Sequence, residues 1–253
     1  MKNWRAWVLP AVGIAASELL IRLTVSDSDI LVPPSKVAVA GMVAIADGSL
    51  LRATFETLAA ALAGLTLGAG AGMVCGILLG MSRTAFHLSF LAIEILRPIP
   101  AVALIPLAML IFGFGFGMEI SVVAIAILWP VLVLSQRAVA NVPAVLLEVG
   151  RLLCLGRLKI LISIILPAAA PELFTAFRFA AAYALVVAVT IEIFANPQGL
   201  GYALIVSQQM LHPETMLAML FWVGVIGWGM NFVCLQFQRT FFVGWNDTAQ
   251  GPS

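Results

Sequence analysis

The chain is poor in charge, in histidine and in cysteine. Only 10% of its 253 residues are charged and 62% are hydrophobic, whereas an average soluble domain has about 25% charged residues. This composition excludes an ordinary soluble protein. The two histidines and three cysteines are scattered, with no CxxC or metal-ligand spacing, so neither a metal site nor a disulfide framework is predicted.

Motifs of nucleotide chemistry are also lacking. The sequence contains no GxGxxG, no GxxxxGK[ST] and no nucleophile with a recognisable base, and these patterns are the usual signs of phosphate binding or catalysis. The chain is therefore not expected to be an enzyme or to bind ATP itself. No cofactor is expected on it, and nucleic acid is not an expected partner.

Long apolar runs account for most of the sequence. A membrane span needs about 20 predominantly apolar residues, and six windows are candidates: residues 7–25, 58–80, 88–112, 120–134, 173–195 and 216–235. We therefore predict an all-α membrane protein with six transmembrane helices. It would form a single domain over residues 1–253, with its core helices at about 50–240 and both termini on one side.

The positive charges fall unevenly about these six windows. Eight lie on one side, namely Lys2, Arg5, Arg83, Arg137, Arg151, Arg157, Lys159 and Arg239. Lys36 and Arg52 lie on the other, and Arg22 is expected to pair with Glu18 one turn earlier. By the positive-inside rule both termini are cytoplasmic. The expected location is the bacterial cytoplasmic (inner) membrane, with the first run kept as an uncleaved span because it lacks a cleavage site.

Two spans carry unusual small or rigid residues. The second contains a glycine every fourth residue, at Gly64, Gly68, Gly72, Gly76 and Gly80, a pattern typical of close helix packing in membranes. The third contains Pro98, Pro100 and Pro106, which predict a kinked or broken helix. Lipid tolerates such a break only where protein or a cavity satisfies the freed backbone groups, so this span is expected to line the centre of the bundle.

Four ionisable residues inside the spans are candidates for the transport pathway or for structural pairing. Glu94 and Arg97 lie three residues apart and are expected to neutralise each other. Arg178 is expected to extend to the cytoplasmic interface. Glu192 lies near the outer end of the fifth span and is expected to face protein or water.

A less apolar loop, residues 141–171, separates the fourth and fifth spans. Asn141 is a good N-cap and Pro143 suits a first turn, so a helix is predicted from Val142. Gly150 and Gly156 provide thin or flexible points, and Pro167 is expected to end the segment. The pattern predicts two short helices with a bend, which on pattern alone could equally be an interfacial connector.

The spacing within this loop resembles the EAA loop of binding-protein-dependent ABC importer permeases. Glu148 is followed at 16, 18 and 19 residues by Ile164, Leu166 and Pro167, as in the family pattern. The chain departs from that pattern at Val149 and Gly150, where the family has alanines, and at Cys154, where it has glycine. We expect Gly156 to supply the bend instead. The resemblance implies a cytoplasmic coupling helix seated in a groove of an ATPase, with Gly150 in that groove. The predicted coupling residues are Glu148, Val149, Gly150, Arg151, Cys154, Gly156, Arg157, Leu166 and Pro167.

Further motifs are similar to the nitrate, sulfonate and taurine branch of this family. They are residues 31–35 (LVPPS), 97–100 (RPIP), 104–106 (LIP), 112–115 (FGFG), Arg178, Glu192 and 199–202 (GLGY). Together they extend from about residue 31 to residue 205. Their order and spacing carry the resemblance, because each motif is short.

The resemblance implies the permease subunit of a type I ABC importer, paired as a homodimer in membrane lipid. Its implied partners are two copies of an ATPase, which would hold ATP and Mg, and an external (periplasmic) binding protein. Nitrate, a sulfonate or taurine is the implied cargo, and a vitamin or pyrimidine precursor stays open. Two alternatives also stay open: an ion-coupled secondary transporter, which should carry coupling carboxylates and an inverted repeat, and a non-transporting membrane scaffold.

Overall fold

The computed structural model describes residues 5–24 and 31–242, and every regular element in that part of the chain is helical. The helices are α1 (Arg5–Thr24), α2 (Pro34–Ala46), α3 (Ser49–Gly80), α4 (Arg83–Leu96), α5 (Ile105–Phe112), α6 (Phe116–Ala140), α7 (Ala144–Leu152), α8 (Arg157–Ile160), α9 (Leu166–Phe194), α10 (Gly199–Gln209) and α11 (Pro213–Phe242). A 3-10 turn, Ala101–Leu104, precedes α5, and a π-helical turn, Leu161–Ile165, joins α8 to α9. The predicted all-α fold is confirmed.

Four helical segments in the described residues are long and apolar enough to cross a membrane: Ser49–Gly80, Phe116–Ala140, Arg157–Phe194 and Pro213–Thr240. The predicted third span is a pair of helices, Thr84–Leu96 and Ala101–Phe112, bent by 76°, and it adds a fifth span if the pair crosses as one. The first predicted window forms α1, which is not among these spans. Six spans are thus not confirmed, and both termini, with Lys2, lie outside the described residues.

The bend in the third span has the predicted cause. Helix α4 ends at Leu96, and Pro98 and Pro100 follow before the 3-10 turn begins. Proline lacks a backbone N–H and clashes with the preceding turn of a helix, so two prolines in this short stretch prevent continuous helix. Pro106 sits in the first turn of α5, where its missing N–H costs little.

The glycine row of α3 packs against the backbone of α6. A Cβ at Gly72, Gly76 or Gly80 would lie only 2.5 to 2.7 Å from the carbonyl oxygen of Leu128, Leu132 or Gln136. Residue numbers increase in the same direction along the two contacting faces, so α3 and α6 run parallel. A Cβ at Gly70, off the row, would meet no described atom within 4 Å. The predicted packing role of the row is confirmed, and even alanine would push these helices apart.

The core lies where α3, α6 and α9 meet. Leu65, Val123, Ile127, Ala184 and Ile191 are among its buried side chains. Helix α2 forms a smaller cluster with the start of α3, α10 and α11. We call the end of this bundle that carries α7 and α8 the coupling end, and the end that carries α10 the opposite end.

Two local predictions in the 141–171 loop were wrong. Asn141 does not cap α7; it is the C-cap of α6, and α7 begins after Pro143. Pro167 does not end the segment, because it lies in the first turn of α9. The preceding π-helical turn accommodates the proline, since a local change in the hydrogen-bond ladder removes the need for its N–H.

Candidate functional site

The coupling segment, residues 144–165, contains one separate short helix, α7, and a bend. The second predicted short helix is instead the start of a helical segment that continues from Arg157 to Phe194. Gly150 lies on the inner face of α7 and is buried. A Cβ there would meet Ile164 Cδ1 at 2.7 Å and Ile160 Cγ1 at 3.2 Å. The expectation that Gly150 itself sits in an ATPase groove is therefore wrong. Its missing side chain lets α7 lie directly on the turn that leads into α9.

The outer face of α7 has the opposite character. Val145, Val149 and Leu152 are 67%, 45% and 83% exposed, and Glu148 and Arg151 are exposed beside them. Large apolar side chains left open together mark an interaction surface more often than isolated ones do. The face therefore combines apolar contact area with one acidic and one basic group.

A left-handed residue ends α7. Cys154 has φ 52°, its N–H donates to Arg151 O at 2.9 Å, and Leu155 N–H donates to Gly150 O at 3.0 Å. These two bonds form a Schellman motif, whose left-handed position is usually glycine. The bend is thus at Cys154, where the resembling family has glycine. The expectation that Gly156 supplies it is wrong, because Gly156 is extended, with φ −66° and ψ 158°.

The remaining predicted coupling residues do not form one surface. Arg157 begins α8 and is exposed, whereas Leu166 is half-buried and Pro167 is exposed at the start of α9. Leu166 packs against the small core formed by residues at the ends of α6 and α9. The end of the EAA-like pattern therefore anchors the loop to the bundle, and α7 supplies the exposed part.

At the opposite end, three side chains cap the N-terminus of α10. Gly199 N–H donates to Glu56 Oε2 at 3.0 Å, Leu200 N–H to Thr57 Oγ1 at 2.9 Å, and Gly201 N–H to Glu192 Oε2 at 2.8 Å. The first N–H groups of a helix have no partner within the helix, and carboxylates there also complement its dipole. Side chains of α3 and α9 thus hold α10 on the bundle.

A second contact extends this network inside the bundle. Asn196 Nδ2 donates to Glu119 Oε2 at 2.5 Å, which ties the loop before α10 to the first turn of α6. Glu119, Glu192 and Asn196 are each at most 1% exposed. We call these three residues, together with the buried Thr57 and the half-buried Glu56, the buried polar network. Glu192 therefore faces protein, one of the two environments that the sequence analysis gave for it.

The glycines of the GLGY motif are required by this network. Gly199 has φ +86°, and a Cβ on it would overlap the Glu192 carboxyl group. A Cβ on Gly201 would overlap Val189 O and lie 2.7 Å from Glu192 Cβ. Glycine is the residue that allows both the left-handed backbone and the close approach.

The other ionisable candidates also have defined places. Arg178 Nη1 donates to Gln238 Oε1 at 3.2 Å and links α9 to α11, whereas an extension to the interface was expected. No ion pair joins Glu94 to Arg97 within the described residues, so that expected pairing is wrong. The expected Arg22 and Glu18 pair forms at 2.6 Å, and Glu18 also accepts the Ser35 N–H at 3.0 Å.

Sequence reasoning missed most of the buried polar network. Glu119 directly precedes the fourth candidate span, which begins at residue 120, so it is not among the ionisable residues predicted inside the spans. A carboxylate beside a span was the available signal, since such groups are costly in a membrane. No group of three or more His, Cys, Asp or Glu in the described part of the chain could hold a metal ion.

Comparison with known proteins agrees with this architecture. Residues 68–242 match the family described as binding-protein-dependent transport system inner membrane component. A putative aliphatic sulfonates transport permease of Bacillus subtilis is 30% identical over 221 residues, which cover 87% of this chain and 80% of that protein. A nitrate import permease of Leptolyngbya laminosa is 26% identical over 168 residues, covering 66% and 60%.

An inward-facing structure of the MetNI methionine ABC transporter shares the fold. Its TM-score is 0.68 at 20% identity, and the match covers 76% of this chain and 95% of that one. The family match spans more than half of the chain and includes the coupling segment and α10. The chain therefore belongs to the family of binding-protein-dependent transport system inner membrane components, and it is the permease subunit of an ABC importer.

Proposed function

We propose that this permease carries a small organic or inorganic anion, such as a sulfonate, taurine or nitrate, driven by a separate ATPase. The substrate class is supported by the relatives named for aliphatic sulfonate and nitrate transport. A separate external binding protein would deliver the solute, as the family description implies. ATP and Mg would be held by the ATPase. Membership of this family argues against both alternatives, an ion-coupled secondary transporter and a non-transporting membrane scaffold.

The exposed face of α7 is the observation that carries the coupling mechanism. Gly150 seats α7 on the residues that lead into α9, and Val149 points its 45% exposed side chain outward. A push on this face would pass through Ile160 and Ile164 into α9, a helix that reaches from the coupling end to the buried polar network. Packed elements of this kind transmit force because their contacts leave little free volume.

In the proposed arrangement the coupling end and both termini are cytoplasmic, in a bacterial inner membrane. Arg137, Arg151, Arg157 and Lys159 all belong to the coupling end or the helices beside it, which supports this orientation. Two permease copies would form the pathway between them, surrounded by lipid. ATP-driven closure of the ATPases would bring the two α7 helices together and rock the halves between two access states.

A charge placed on the exposed face of α7 tests this coupling. Val149→Glu should insert normally, because the position is exposed, yet it would put a buried charge into an apolar docking contact. Substrate-stimulated ATP hydrolysis of the reconstituted complex should fall at least ~tenfold, since a lost contact of about 1.4 kcal/mol already changes an equilibrium tenfold.

Val149→Ala is the matched control and should retain most of the stimulation, because it adds no charge. Membrane insertion and copurification with the ATPase are measured for both variants. Full stimulation in Val149→Glu would show that the outer face of α7 does not contact the ATPase.

A further inference from the structure

A cavity of about 590 Å³ opens beside the break in the third span. Its walls come from the end of α4, the 3-10 turn, α6 and α9. The prolines that end α4 prevent a straight helix from filling this space, and Pro130 lies within α6 on the opposite wall. Small-molecule pockets have volumes of roughly 300 to 1,000 Å³, so the cavity is large enough for a small solute with water.

The charges of this cavity have one sign. Arg97 and Arg137 line it, and no Asp or Glu is among its lining residues. Neither arginine makes an ion pair or a side-chain hydrogen bond within the described part of the chain. A guanidinium group presents planar, always charged donors that suit carboxylates and other oxyanions. The cavity therefore has two free cationic groups without an internal counter-ion.

The other walls are apolar and aromatic. Trp129 and Tyr183 are half-buried, and Phe179 is exposed on the same cavity. Such side chains accommodate the hydrocarbon part of an organic anion, whereas the arginines would attract its charged group. The glycine row and the buried polar network line other parts of the molecule, so this cavity is a separate site.

We propose that this cavity is an anion-binding site in which Arg97 and Arg137 hold the oxyanion and Trp129 and Tyr183 contact the organic group. The inference rests on the proposed function in one respect, because it locates a place where the transported anion would pause. It predicts that a small sulfonate binds the permease alone. It also predicts that the two arginines select a solute by its negative charge and not by its shape.

Fluorescence quenching of Trp129 tests the site without any transport step. The full chain is placed in nanodiscs of neutral phosphatidylcholine at constant ionic strength, and the Trp129→Phe variant is subtracted to isolate the Trp129 signal. Iodide reports access for anions and acrylamide reports access for a neutral molecule. Replacing both arginines by glutamine should lower the iodide quenching constant about threefold or more, because local counter-ion concentration follows local potential. The acrylamide constant should stay unchanged.

Two controls accompany this experiment. Arg97→Lys with Arg137→Lys keeps the charge and should retain iodide quenching, whereas Arg151→Gln, on α7, should change nothing. In wild type, methanesulfonate should protect Trp129 from iodide, and tetramethylammonium should not. This competition needs no arginine variant, only the Trp129→Phe subtraction, so it decides the matter even if the double glutamine variant fails to fold.

The proposal is overturned if methanesulfonate gives no protection, or if the glutamine variant keeps its iodide quenching with an unchanged acrylamide constant. Stimulated ATP hydrolysis separates this failure from failure of the proposed function. Stimulation without anion-selective quenching would keep the transport function and remove the site. Anion-selective quenching without any stimulation would keep the site and remove the proposed transport.

Discussion

The two ends of the bundle hold their short helices in opposite ways. At the opposite end, which is the end that carries α10, the N-terminus of this helix is capped by Glu56, Thr57 and Glu192. These side chains come from the two long helices α3 and α9. At the coupling end, α7 rests on the bundle through Gly150 and leaves its apolar outer face exposed. Buried hydrogen bonds to backbone groups are costly to break, whereas an exposed apolar face is free to bind. The capped N-terminus of α10 is therefore a fixed anchor, whereas the exposed face of α7 is the proposed docking surface for the ATPase.

The largest expected effect comes from adding a side chain at the anchor. Gly199→Ala combines a left-handed backbone with overlap on the Glu192 carboxyl group, which cannot easily move because it is buried and accepts the Gly201 N–H. Left-handed alanine costs about 1 to 2 kcal/mol and overpacking a further 1 to 3 kcal/mol, so we expect a loss of about 3 kcal/mol. Thermal unfolding of the purified chain in detergent measures it.

Gly48→Ala is a matched control for this change. Gly48 has nearly the same left-handed backbone, φ +79°, but a Cβ on it would meet no described atom within 4 Å. It should therefore lose only the backbone contribution. Equal losses in the two variants would mean that the Glu192 carboxyl group does not fix the position of α10.

The next effect tests one hydrogen bond of the anchor. Thr57 is fully buried, and Thr57→Val keeps the side-chain shape while leaving the Leu200 N–H without its acceptor. An unsatisfied buried donor costs about 1 to 3 kcal/mol. Thr66→Val, at an exposed threonine of the same helix that bonds only its own helix, should be nearly neutral. The difference between the two unfolding temperatures is the measurement, and a difference near zero would contradict the capping role of Thr57.

The contrast between the ends also explains what the sequence could predict. Gly64 to Gly80 and Pro98 to Pro106 act within one helix or between two adjacent faces, so their spacing alone indicates packing and a break. The buried polar network joins Thr57, Glu119 and Glu192 from three separate spans. Only tertiary packing brings these residues together, and no local pattern contains that information.

The errors within the coupling segment have a similar origin. A glycine on a short helix fits an inward packing position and an outward docking position equally well, and only the contact of Gly150 with Ile160 and Ile164 decides between them. Cysteine rarely adopts a left-handed backbone, so Cys154 itself gives no local signal of a bend. The glycine that the family pattern has at this position indicates that a left-handed residue is needed there.

A smaller effect is expected at Gly150, where α7 packs on the residues that lead into α9. In Gly150→Ala the new Cβ meets Ile164 Cδ1, the far end of a flexible side chain, and not backbone. Adjusting that rotamer should cost about 1 kcal/mol of stability, less than the change at Gly199. Stimulated ATP hydrolysis should fall together with stability, because α7 shifts relative to α9. Reduced stimulation with no change in unfolding temperature would instead place Gly150 in direct contact with the ATPase.

The smallest expected effect is a gain in stability, and it concerns the turns that end α7 and α10. Leu211, with φ 56°, ends α10 as Cys154 ends α7, and its own Schellman bonds are Leu211 N–H to Gln208 O and His212 N–H to Ser207 O. Both turns place a side chain where glycine is usual.

Cys154→Gly and Leu211→Gly relieve about 1 to 2 kcal/mol of backbone strain each but add about 0.5 to 1 kcal/mol of unfolded-state entropy. Each should therefore stabilise the chain by ~0.5 kcal/mol. Because only α7 carries the proposed docking surface, Cys154→Gly alone should change substrate-stimulated ATP hydrolysis, and Leu211→Gly should leave it unchanged. Equal changes in hydrolysis from both variants would mean that turn strain acts through general stability and that the two ends do not differ in function.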